Sequence, residues 1–167
     1  MSTRATIHFE TKRTHDYVLN DATGRYDRIE RTEPIFETEA IVYRHSDGYP
    51  EGLGADLVRF IEEVRHLNDG RLNDPSYLAA KWVVFDVSEY QRYMAESNAR
   101  QKAAGERPYY DDPPARLDFL GVGIVMADPG DIEYRYHVVC DGRVDTIAYD
   151  DGVSNEPIGI LNTTVLA

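Results

Sequence analysis

Apolar and polar positions alternate at the start of the chain. In "TRATIHFET", Ala5, Ile7 and Phe9 fall on one side and Thr6, His8 and Glu10 on the other, the pattern of a half-buried strand. "DYVLNDATGRYDRIER" reads as a polar hairpin with its turn at Asp21–Gly24, and "PIFETEAIVYRH" as a longer strand that enters the core near Ala40–Tyr43. The period then changes. Leu53, Leu57, Phe60, Ile61, Val64 and Leu67 recur at spacings of three and four, which predicts a helix over Pro50–Leu67 with Gly70 as its C-cap. A second helix is predicted over Pro75–Phe85: Asp74 is a good N-cap, Pro75 suits the first helical position, and Leu78, Trp82 and Phe85 continue an apolar face. Trp82 is expected to be buried between that helix and the sheet.

Beyond Phe85 the apolar stripe fades while Pro, Gly and charge accumulate in "EYQRYMAESNARQKAAGERPYYDDPPAR". Two readings stay open there, an exposed helix that frays and an excursion over 95–114 that is mobile or ordered by a partner. Strand patterning returns in "LDFLGVGIVMA", "DIEYRYHVV" and "RVDTIAYD". In the middle one, Ile132, Tyr134, Tyr136 and Val138 face one way and Glu133, Arg135 and His137 the other, and Asp141-Gly142 reads as a two-residue primed hairpin turn. "IGILNTTVL" near the end is a short strand whose neighbour the pattern does not name. Strands, two helices, then strands predict an α+β fold: one domain over 1–167, with an antiparallel sheet of about five to seven strands and both helices on one face.

Composition narrows the function. A 42% hydrophobic content supports a sizeable core, and no apolar run reaches the roughly 18–20 residues that cross a bilayer. A cytoplasmic location without membrane contact is expected. Cys140 is the only cysteine, so no intramolecular disulfide and no multi-cysteine metal site is available, and a core position is expected for it. The net charge of -12 comes from 18 Lys/Arg against 30 Asp/Glu. Direct duplex DNA binding is not expected, because Lys and Arg supply its phosphate contacts. Acidity fits three other readings: solubility, adaptation to high salt, and a surface for a basic partner. The twelve tyrosines raise base stacking as a possibility, but no basic groove accompanies them. Tyr134 and Tyr136 read as cross-strand packing residues, whereas Tyr109 and Tyr110 in "PYYDDPP" are candidate partner-binding positions.

The densest chemistry lies in "YRHSDGYPEGLG", between a strand and a helix. A glycine-rich helix start holds anions when its N–H groups are open, Gly48, Gly52 and Gly54 permit close backbone approach, and Tyr49 offers a ring for stacking. His45 and Asp47, two apart, share a side of an extended segment. His45, Asp47, Gly48, Tyr49, Gly52 and Gly54 are therefore the candidate ligand-binding set. A structural reading competes, in which Asp47-Gly48 turns the chain, Pro50 opens the helix and Glu51 suits its dipole. No Walker loop or dinucleotide fingerprint is present, Ser46 lacks a nucleophile-elbow context, and the five histidines lack zinc-protease spacing. No catalytic set, metal site or cofactor is expected.

"YRHSDGYPEGLGADLVRF", "PSYLAAKWVV" and "GIVMADPGDIEYRYHV" together resemble a group of small uncharacterised phage and prophage proteins with an H-x-D-G-Y-P strand-to-helix junction and a later I-E-Y-x-Y strand. That resemblance covers about residues 40–85 and 118–142. It implies a setting, in which small proteins bind a host defence protein or sequester a nucleotide. Two classes of function follow. One is a non-enzymatic binding protein that engages a host protein or an anionic, nucleotide-like molecule through the His45–Gly54 loop and the acidic surface. The other is a small hydrolase or transferase with His45 as acid/base and Asp47 orienting it.

Overall fold

A computed structural model of the chain describes residues 3–67, 70–109 and 121–164. The chain forms β1 (Ala5–Asn20), β2 (Arg25–Arg44), a single π-type turn (Pro50–Gly54), α1 (Ala55–Arg65), α2 (Pro75–Ala103), β3 (Val122–Val125), β4 (Tyr134–Val139), β5 (Thr146–Asp150) and β6 (Gly159–Asn162). The six strands make one sheet in the order β3-β2-β1-β4-β5-β6. The fold is α+β, as the grouping of elements predicts, and Asp74 caps α2 by accepting a hydrogen bond from the Tyr77 N–H at 3.1 Å.

Alternation sets the two faces. Ala5, Ile7 and Phe9 of β1, Tyr136 and Val138 of β4 and Ile147 of β5 are buried together with Leu57, Phe60 and Ile61 of α1 and Leu78 and Trp82 of α2. Trp82 is fully buried, and its ring meets Phe60 edge-on at 5.3 Å between centroids. Cys140 also lies in this core, where burial pushes its thiol up to about 12 and leaves it inert.

The sheet is mostly antiparallel with six strands, as predicted, and three expectations about the helices and one connection are corrected. Within the sheet, β4 returns beside β1 and runs parallel to it, from Ala5↔Tyr134 to Glu10↔Val139. Residues 126–133 make this crossover, passing from β3 at one edge to β4 at the middle of the sheet. The first helix divides, because Pro50–Gly54 winds more loosely than the α-helix that follows. That helix ends at Arg65 with His66, not Gly70, as its C-cap; Gly70 lies further on and is packed against Val64, whose carbonyl would lie 2.5 Å from a Cβ there. The β4–β5 connection is residues 140–145 and not a two-residue turn, since Asp141 Oδ1 accepts the N–H groups of Arg143 and Val144, each at 3.0 Å, and shapes a longer loop.

The last correction concerns α2, which runs well past Phe85 to Ala103. Its buried side changes character there, from Trp82 to Asp86, Met94 and Asn98. A buried carboxylate paired with an arginine does the work of an apolar side chain, so the helix continues after its stripe has faded. Residues 95–103 are thus regular helix, while 110–114 lie outside the described residues.

Candidate functional site

The loop after β2 is built from the inside. Arg44, the last residue of the strand, turns back: its Nε donates to the Ser46 carbonyl at 3.1 Å and its Nη1 pairs with Asp86 on α2. Asp47 takes a left-handed backbone conformation, φ 57°, which Asp tolerates better than most residues. Gly48 then passes so close to the sheet that a Cβ would sit 2.7 Å from Ala5 Cβ and 2.9 Å from the Thr3 carbonyl. Its N–H donates to Thr3 O at 3.0 Å, and its carbonyl accepts from Tyr136 Oη at 2.8 Å. A Cβ at Gly52 would meet the Asp47 carbonyl at 2.7 Å, and one at Gly54 would meet Leu161 Cδ1 at 2.9 Å. The close approach that glycine permits is therefore used by the protein's own backbone and core.

The donors are used as well. Leu53 N–H donates to Asp47 O at 2.9 Å and Gly52 N–H to Tyr49 O at 3.0 Å. An anion at this helix start would compete with carbonyls already in place. The His45 ring lies with Nδ1 3.0 Å from the Tyr43 hydroxyl, and the His45 backbone N–H donates to Gly121 O at 2.6 Å. Tyr49 is partly exposed and covers Gly52. Tyr109 is exposed, with its N–H on Gln101 Oε1 at 2.8 Å. Tyr110 lies outside the described residues.

What the loop does is close one wall of a cavity of about 560 Å³ between itself, α1 and α2. Ser46 and Asp47 line it; His45, Gly48, Tyr49, Gly52 and Gly54 do not. Three arginines, Arg44, Arg59 and Arg92, face five carboxylates, Asp47, Asp56, Asp86, Glu89 and Glu96, with Tyr90 and Tyr93 on the α2 side. Each arginine already has its carboxylate. Arg44 pairs with Asp86, Arg59 bridges Asp56 at 2.6 Å and Glu89 at 2.8 Å, and Arg92 reaches Glu89 at 2.5 Å and Glu96 at 3.9 Å. Burial pulls the Arg44 guanidinium below its ordinary value, against the raising effect of Asp56 and Asp47. The Arg59 guanidinium is held above its own by hydrogen bonds to Asp56 and Glu89. Carboxylates exceed guanidiniums, so the cavity is negative.

Sequence reading found the loop and missed the α2 wall. A signal was present: Trp82, Asp86, Tyr90 and Tyr93 follow one another at helical spacing, so one side of the second helix runs from its buried tryptophan into polar and aromatic residues.

A second polar cluster occupies the opposite face of the sheet. His8 and His137 lie side by side on the parallel pair β1–β4, 5.6 Å between ring centroids. His137 holds Glu10 Oε1 at 2.8 Å with Nδ1 and Asp150 Oδ2 at 2.9 Å with Nε2, while His8 Nε2 lies 2.8 Å from Asp128 Oδ1. Asp128 also accepts from Thr6 Oγ1 at 2.7 Å and from Arg135 Nε at 2.8 Å. Burial alone would lower the His137 value, but the two carboxylates outweigh it and raise it. For Asp128 burial works upward and is outweighed by the hydrogen bonds of Thr6 and His8 and the charges of His8 and Arg135, which leave it below the usual carboxylate range. Asp128 sits in the 126–133 crossover, so this cluster fastens that connection across the sheet. Among the described residues, no group of three or more His, Cys, Asp or Glu is arranged to hold a metal ion.

No protein-family model, curated protein or solved structure matches the chain.

Proposed function

We propose that this is a non-enzymatic binding protein whose cavity between the Ser46–Asp47 loop and α2 receives a basic side chain of a partner protein. The observation that carries the reading is the charge balance of the cavity wall: five carboxylates against three arginines, each arginine already ion-paired. An incoming guanidinium or ammonium group meets an unneutralised negative field and the rings of Tyr90 and Tyr93, which suit a cation. The volume falls in the range of a site for one side chain or a small molecule. An anionic, nucleotide-like ligand is less well served, since the N–H groups of Gly48, Gly52 and Leu53 are bonded to the protein's own carbonyls and the arginines are engaged. His45 does not line this cavity, so the acid/base reading draws no support from it. The resemblance to small phage proteins suggests a setting for such a partner, a host protein in the cytoplasm.

Calorimetry with a short arginine-rich peptide tests the reading. Binding that weakens with added salt is expected, and the Asp47→Asn, Glu96→Gln double variant should bind at least about tenfold more weakly, a loss of about 1.4 kcal/mol. Asn keeps the left-handed backbone of position 47, so the loop is preserved. Equal affinity in the variant, or tight ATP binding in place of the peptide, would contradict the proposal.

A further inference from the structure

α1 and α2 run antiparallel and meet along one seam. Arg59 of α1 reaches Glu89 of α2 at 2.8 Å, the Phe60 ring lies 5.5 Å from the Phe85 ring, and Lys81 Nζ donates at 2.7 Å to the Gly70 carbonyl, beyond the end of α1. The numbering rises along one helix as it falls along the other. The acidic cavity takes the half of the seam that holds Asp56, Arg59 and the Glu89–Glu96 stretch of α2. The other half holds a groove of about 570 Å³, lined by Phe60, Val64 and Leu67 from the α1 side and by Val84 and Phe85 from α2.

The two hollows share a wall. Glu89 lines both, and Arg59, which pairs with it, also lays its guanidinium over the Phe85 ring, with Cζ 5.5 Å from the centroid. The Arg59–Glu89 bridge is thus a sill with a charged hollow on one side and an apolar one on the other.

Phe60 and Val64 form a buried floor to the groove, whereas Leu67 and Val84 on its two sides are 54% and 67% exposed. Leu67 lies past the last residue of α1, and Val84 stands two positions after the buried Trp82, on the side of α2 turned away from the sheet. Single apolar side chains on a surface need no explanation. Two of them on opposite sides of one concave aromatic floor give an incoming apolar group a place to lose its water.

Charge selects what carries that group. Glu63 and Glu89 edge the groove, Lys81 turns its ammonium to Gly70, and five carboxylates against three arginines lie beyond the sill. An apolar side chain on an acidic segment meets repulsion along the seam, and one on a basic segment meets attraction. Length sets the spacing. Val84 and Tyr93 line the two hollows nine positions apart on α2, roughly 13 Å at 1.5 Å per residue. About four extended residues cover that distance, and positions i and i+4 of an extended segment point to one face.

We propose that this groove is the second half of the partner site: the segment whose basic side chain enters the cavity lays a large apolar side chain, four residues away, between Leu67 and Val84. The inference rests on the cavity reading given above and extends it to two-point recognition. Charge brings the segment to the seam, and burial of the apolar side chain holds it there.

Calorimetry of the full chain at low salt with matched peptides tests this. Each is a short Gly/Ser peptide with an Arg-Arg pair and, four positions away, either phenylalanine or serine, made in both sequence orders. In one order the phenylalanine peptide should bind the wild type at least about tenfold more tightly than its serine counterpart. A Leu67→Gln, Val84→Gln variant should lose most of that gain and keep its affinity for the serine peptide, because both side chains are exposed, neither lines the cavity and glutamine adds no charge. In the wild type, the Leu67 and Val84 methyl signals should shift with the phenylalanine peptide and stay in place with the serine one, a readout that does not depend on the variant. A serine peptide that binds while phenylalanine adds nothing, or adds as much in the folded variant, overturns this inference and leaves the cavity reading standing. Failure of every peptide to bind overturns both. Equal binding of a phenylalanine peptide whose arginines are replaced by glutamine, or a wild type that dimerises where the variant does not, gives the groove another occupant and overturns the proposal as well.

Discussion

Gly48, Gly52 and Gly54 each lie where a methyl group would collide with the protein itself, and the nature of the obstacle decides the cost. At Gly48 it is the Thr3 carbonyl and Ala5 Cβ, both on rigid chain at the start of β1. Gly24, at the hairpin turn, has a left-handed φ of 66° and nothing within 4 Å of a Cβ position. Gly48→Ala should therefore destabilise the fold by about 1–3 kcal/mol through overpacking, and Gly24→Ala by about 1–2 kcal/mol through backbone strain alone. Urea unfolding measures both losses, and peptide calorimetry tells the two variants apart, because Gly48→Ala should also displace the loop and weaken the peptide binding proposed above, whereas Gly24→Ala should leave it unchanged. Sequence alone showed that this loop needed glycine but not which atoms would come close. The Tyr136 hydroxyl on the Gly48 carbonyl comes from far along the chain, and nothing local announces it.

At the scale of elements, the parallel contact of β1 with β4 governs how the face of the sheet opposite the helices responds to pH. His137 gains Glu10 and Asp150 on folding and its value rises, so its stabilisation is complete below the unfolded value of about 6.5 and is lost as pH climbs through the raised folded value. Asp128 behaves in the opposite sense: its contribution is present above the usual carboxylate range and disappears as pH falls through its depressed folded value. The melting temperature of the wild type should therefore decline from about pH 6.5 upward more steeply than that of His137→Gln, which has no proton to lose there. Parallel profiles for the two proteins on the alkaline side would refute the assignment. The alternation of "TIHFE" and "EYRYHV" does put these histidines on the polar sides of their strands. What the pattern does not contain is the pairing of two strands so distant in sequence. The same limit explains α2, whose buried face beyond Trp82 is defined by Arg44 and Arg59, residues that lie on other elements.

For the whole molecule, uneven charge is the organising feature. The acidic excess is gathered at one place in particular, the cavity between the Ser46–Asp47 loop and α2, whose wall concentrates five carboxylates. Grouping of strands and helices was legible in the sequence because burial periodicities are local. The cavity was not, since it is assembled by ion pairs between elements, and ion pairs leave no period. The His45–Gly54 segment drew notice for its density of polar and glycine residues, and the structure gives that density two uses: glycines that let the loop pack, and Ser46 with Asp47 that close the cavity wall.

Whether that wall receives a cation is answered most directly by amide chemical-shift mapping in NMR with the arginine-rich peptide. The largest shifts should fall at Asp47, Asp56, Tyr90 and Tyr93, fade as salt is added, and be absent in the Asp47→Asn, Glu96→Gln variant. Shifts confined to other surfaces, or undiminished in that variant, would contradict it.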